Sequence, residues 1–154
     1  MSVRQFAKNQ FVSIFDTNEN QVASDFILDR NQTLKNIRAK IFIEGTLAGT
    51  EKMQCHISTA SQTNGIFLSS NIISLSDISN FAANWLGWVR FDFIDHHLKS
   101  GDTYFAFLEM SGYTENEGTF SVGGIYDFPV PVYDNGAGQF IDHPLALQIF
   151  GHDL

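Results

Sequence analysis

His96 and His97, side by side after Asp95, are the densest group of metal-capable side chains in the chain; His56, His143 and His152 are scattered. A transition metal asks for three or four converging N, S or O ligands, and no third ligand at metal spacing accompanies the pair. On a strand adjacent side chains point to opposite faces; on a loop the two would share one weakly held ion at most. They read as turn or surface groups. Asp92, Asp95, Asp127, Asp134 and Asp142 are oxygens of the kind that hold a structural Ca²⁺ in loops, but no Asp-x-Asp-x-Asp-Gly run orders them. The reading is of solvated acids, with no metal and no cofactor.

Covalent chemistry fares no better. Cys55 is the one cysteine, so the chain forms no internal disulfide. It falls between Met53 and Ile57 at strand spacing, as a buried, inert thiol does, and His56 would point to the other face. Nothing near supplies a base and its orienting partner. No Gly-x-Ser-x-Gly elbow or glycine-rich phosphate loop is present. Glycoside hydrolysis needs two carboxylates at a fixed separation, and a chain this rich in acids offers such pairs without meaning them. The chain is expected not to be an enzyme.

Charge narrows the partners. The net charge is −8 with nine Lys and Arg, whereas a phosphate-binding surface needs clustered cations. Arg38 and Lys40, on the outer face of one strand with Glu44 close by, are the nearest thing to a patch. Neither nucleic acid nor membrane is an expected partner: no apolar run approaches the roughly 20 residues of a spanning helix. The first ten residues lack an apolar core and a cleavage pattern, so no signal peptide is expected, and assembly in a cytoplasm follows.

The elements that must position these groups are strands. In Trp88–Phe93 the residues Val89, Phe91 and Phe93 alternate with Trp88, Arg90 and Asp92, the period of a half-buried strand. After a turn at Ser100-Gly101-Asp102, Tyr104, Ala106, Leu108 and Met110 alternate with Phe105, Phe107 and Glu109. The two runs are expected to form a central antiparallel pair. Further strands are expected at Phe11–Phe15, Val22–Leu28, Leu34–Glu44, Lys52–Thr59, within Ile66–Leu75 (best in its Ile72–Leu75 half), Thr119–Tyr126 and Leu145–Phe150, with one short helical turn near 76–81. Two prolines, Pro129 and Pro131, make the stretch from Asp127 an extended loop or edge, within a Pro/Gly segment that runs to 144. Residues 1–10 read as a polar arm and 11–154 as a single all-β domain, a two-sheet antiparallel sandwich. Trp85, Trp88, Phe105 and Phe107 oppose the inward sets, and these four rings are the expected interface. A flat apolar patch there would dock a protein subunit; a groove of rings with polar borders would stack sugars.

Leu34-x-x-Ile37-x-Ala39-x-Ile41, Ser70-Asn71-Ile72-Ile73-Ser74, Ser76-Asp77-Ile78, Trp88-Val89-Arg90-Phe91-Asp92-Phe93 and Leu98-Lys99-Ser100-Gly101-Asp102-Thr103-Tyr104 follow one another in an order that resembles a jelly-roll β-sandwich. This is the kind found in bacteriophage virion proteins and in extracellular domains shaped like carbohydrate-binding modules. The resemblance spans residues 26–150. It rests on packing and turn positions, so it implies a fold and transfers no binding residue. It implies a non-enzymatic structural protein on the virion surface, a head decoration (cement) protein or small tail component. Such a protein would meet capsid or tail subunits as an oligomer or as lattice-bound copies. The alternative it leaves open is a glycan-binding module for host or surface attachment.

Overall fold

The computed structural model describes residues 2–5, 10–13, 21–44, 49–60, 63–75, 77, 84–112, 119–124, 133–134, 140–141 and 147–153. The strands in chain order are β1 (Ser2–Gln5), β2 (Gln10–Ser13), β3 (Gln21–Ile27), β4 (Gln32–Glu44), β5 (Lys52–Ser58), β6 (Ile66–Ser69), β7 (Ile73–Ser74), β8 (Asn84–Leu98), β9 (Thr103–Ser111), β10 (Thr119–Gly124), β11 (Tyr133–Asp134), β12 (Phe140–Ile141) and β13 (Leu147–Asp153). A 3₁₀ turn spans Thr63–Gly65. Leu75 and Asp77 are helical, where the sequence places its turn; Ser76 and residues 78–81 lie outside the described residues.

The fold is an all-β, two-sheet antiparallel sandwich. In the first sheet β4 is the axis. It pairs with β8 from Gln32 to Glu44, while its other edge is shared between β13, along Gln32–Ala39, and β10, along Ile41–Glu44. β1 extends β13 and β2 extends β10. The second sheet runs β3, β9, β5, with β6 and β7 sharing the far edge of β5. Between them Ile37, Ala39, Ile41, Val89, Phe91, Leu147 and Ile149 of the first sheet form one cluster with Phe26, Met53, Cys55, Ile57, Tyr104, Ala106, Leu108 and Met110 of the second. The expected inward sets of β4, β5, β8 and β9 thus make the core.

The expected central pair does not form. β8 belongs to the first sheet and β9 to the second, so residues 99–102 arch from one sheet to the other. Both edges of β9 are taken by β3 and β5, and the apolar sides of β8 and β9 meet across the interior. A short turn fixes proximity along the chain, not hydrogen bonding between its arms. The ends differ too. Part of the polar arm, Ser2–Gln5, is strand β1, and β13 continues through Gly151, His152 and Asp153 against Leu34, Thr33 and Gln32. In the segment read as extended loop, β11 and β12 pair with each other, and β11 lies against β3.

Candidate functional site

Among the described residues, three arrangements bring chemistry-bearing side chains together. The first is the outer face of the first sheet. Inward Ile37, Ala39, Val89, Phe91 and Ile149 leave their strand neighbours outward, and register aligns these in rows: Phe150, Asn36 and Asp92, then Gln148, Arg38 and Arg90, then Lys40 and Trp88. Arg38 lies over the Phe150 ring at 4.6 Å and the Lys40 ammonium 5.9 Å from the Trp88 ring centre, the cation–π arrangement. Arg90 Nε donates to Asp92 Oδ1 at 2.6 Å. Arg38 and Arg90 face each other across the ladder, a like-charge pair that costs stability. Arg38 Nε and Asn36 Oδ1 are buried without hydrogen-bond partners. The sequence marked Arg38 and Lys40; it missed Arg90 and Phe150, which only the pairing of β13 and β8 onto β4 reveals.

The expected interface rings separate on this structure. Trp88 is on the face just described and half-buried. Trp85 is on β8 opposite Ile43, its side chain outside the described residues. Phe105 and Phe107 do point outward from the second sheet, but Phe107 is 0% exposed and Phe105 is partly buried against the core. Phe107 pairs with Ala23 on one side and His56 on the other, and Ala23 is also fully buried. That part of the outer face is packed, so Phe107 is no docking group.

The second arrangement surrounds His56. Its Nδ1 lies 2.6 Å from Ser69 Oγ and its Nε2 2.9 Å from Glu109 Oε2, a Ser–His–Glu chain across β6, β5 and β9. Sequence reasoning missed it because the three residues are distant in the chain and neighbours only across the ladder. In outline it is an acyl-transfer relay. The two backbone N–H groups after Ser69, however, donate to Cys55 O and Asp92 O at 2.8 and 3.0 Å, so neither is turned toward a charge developing at the serine. Both ring nitrogens of this buried histidine thus have hydrogen-bond partners, which is what burial of an imidazole requires. Behind it Cys55 is completely buried, and burial pushes its thiol far up from its ordinary value.

The third is a cleft of about 510 Å³ at the β8–β9 arch, lined by Phe67 of β6, His96 and His97 of β8, Lys99 and Asp102 of the arch and Tyr104 of β9, among others. His96 and His97 are both exposed on a strand. Among the described residues no three His, Cys, Asp or Glu side chains converge as metal ligands. Asp92 pairs with Arg90 and Asp95 with Lys35, each at 2.6 Å. Asp134 is in β11; Asp127 and Asp142 lie outside the described residues. No described helix is long and apolar enough to cross a membrane.

No family model matches the chain, and no curated protein does. Among solved structures, two crystal structures of a CocE/NonD family hydrolase from Staphylococcus aureus are similar at 13% and 11% identity, with TM-scores of 0.43 and 0.44. They cover 97% and 99% of this chain, which spans about a third of the hydrolase (32% and 33%).

Proposed function

We propose that this chain is a non-enzymatic structural protein of a phage particle, a head-decoration or small tail component, that docks on neighbouring subunits through the outer face of β8, β4 and β13. The observation that carries the docking reading is the composition of that face. Three of the nine Lys and Arg of a chain with net charge −8, Arg38, Lys40 and Arg90, sit there with Trp88 and Phe150 between them. Aromatic rings and arginine are the groups that dominate protein interfaces. The repulsion between Arg38 and Arg90 across the ladder is relieved by a partner that brings carboxylates. An acidic capsid or tail subunit is such a partner, and so is the acidic remainder of another copy of this chain.

The virion assignment rests on the jelly-roll resemblance and is tested by mass spectrometry of particles purified from the phage that encodes the chain. Its absence from them overturns the assignment. Docking is tested separately, by incorporation of variants. Arg90→Glu and Trp88→Ala should fold with a melting temperature close to the parent and be lost from particles, or from self-association where the partner is a second copy. Incorporation at parental level by both variants overturns the docking face.

A further inference from the structure

We propose that the cleft at the β8–β9 arch is a saccharide site, in which one pyranose ring, the terminal unit of a surface glycan, lies against Phe67. Phe67 is 39% exposed, yet it is not loose. His96 flanks it at 5.2 Å between ring centroids and Tyr104 at 6.1 Å, tilted 46° and 54° to it, and Tyr104 is in turn held by Phe26 at 5.8 Å. A fixed ring with solvent in front of it offers an apolar plate to the C–H face of a sugar, at no cost in side-chain ordering on binding.

The rim carries what sugar hydroxyls require, which both donate and accept. Asp102 is an acceptor, Lys99 a donor, and Thr59 and Thr103 are either. The arch holding Lys99 and Asp102 is exposed but tied at three successive N–H groups: Lys99 to the Tyr104 hydroxyl at 2.9 Å, Ser100 to Asn31 Oδ1 at 2.8 Å, and Gly101 to the Leu28 carbonyl at 3.1 Å. Gly101 turns the arch at φ +83°, a conformation that glycine alone adopts freely. The volume, about 510 Å³, is within the roughly 300–1,000 Å³ of small-molecule sites. Other ligand classes fit less well. One lysine and two imidazoles with an aspartate on the same rim, and no arginine, make a poor cradle for a phosphate on a chain of charge −8, and the polar rim would be left unpaired by a wholly apolar molecule.

The site uses none of Arg38, Trp88 or Arg90, so it stands or falls apart from the docking face. The test is saturation-transfer difference NMR with titration calorimetry on the full chain, using the methyl pyranosides of glucose, galactose, mannose and N-acetylglucosamine. At least one should bind saturably, with transfer strongest at its ring C–H protons. Phe67→Ala and Asp102→Ala should each weaken it by about tenfold or more, while Trp88→Ala leaves Kd within about twofold. If Phe67→Ala fails to fold, Asp102→Ala, a change on an exposed arch, decides alone. No binding by any of the four glycosides overturns the proposal, as does binding that survives substitution of Asp102.

Discussion

Phe107 shows what alternation along a strand does and does not decide. Period two places Phe105 and Phe107 opposite Tyr104, Ala106, Leu108 and Met110, and the strand obeys it. Whether the outward face meets water is settled by other parts of the chain, and at Phe107 it does not: the ring is 0% exposed. Phe107→Ala should therefore cost about 3–5 kcal/mol in urea unfolding, the range for a buried aromatic, and Phe107→Asp should give no folded protein. Trp88→Ala, on a half-buried face, should stay within about 1 kcal/mol of the parent. A stable Phe107→Ala protein would show that its surroundings are not packed. The inward residues were legible for the same physical reason: a sandwich interior is dry whichever strands pair, so Val89, Phe91 and Cys55 needed only their own spacing. The candidate sites were legible in part. Trp88, Arg38 and Lys40 lie on one strand face each, but Phe67 and the His56 chain are assembled across strands and carry no local signal.

At the scale of elements, the connections decide more than the strands do. Each strand of the core was recognisable, yet the pairing of β8 with β9 was misread, because a four-residue turn serves a hairpin and an arch alike. Two glycines at positive φ show how differently such turns are built. At Gly101 (φ +83°) an added Cβ meets nothing within 4 Å. At Gly112 (φ +77°), just beyond β9, it would lie 2.0 Å from the Thr50 carbonyl oxygen, where the chain leaving β9 passes the start of β5 and Thr50 Oγ1 donates to the Gly112 carbonyl at 2.7 Å. Gly101→Ala should cost about 1 kcal/mol, the backbone strain alone. Gly112→Ala should cost at least about 3 kcal/mol, because the ends of β5 and β9 must part as well. Equal melting temperatures for the two variants would contradict this close approach. The β8 ladder holds a further irregularity: Leu34 pairs with His96 and Asn36 with Asp92, so Lys35 alone spans Phe93, Ile94 and Asp95. Such a bulge bends the strand and ends the inward set at Phe93: Asp95 and His97, which the period would turn inward, are exposed, and periodicity could not foresee that.

At the scale of the whole molecule the apolar layer between the sheets is the feature that stability depends on, and among the described residues a thiol lies fully buried in it. Cys55 is 0% exposed between Met53 and Ile57, under β9 on one side and the Ser70 hydroxyl, which accepts from its backbone N–H, on the other. Desolvation raises its thiol far above the ordinary value of 9.0, since a thiolate there would lose its water without gaining a cation. In the unfolded chain the thiol ionises near its ordinary value while the native one stays protonated. Above that pH the native state holds one proton more than the unfolded state, so native stability falls as pH rises. The slope approaches about 1.4 kcal/mol per pH unit. Below it the contribution is fully present. Other groups also titrate in that range, so the sign is read from a difference: the stability advantage of the parent over Cys55→Ala should shrink by about 2 kcal/mol between about pH 8 and about pH 10.5. Denaturant titrations of both proteins at the two pH values measure it. A constant gap would mean that the native thiol ionises as readily as the unfolded one, and that water reaches the interlayer on which the sandwich depends.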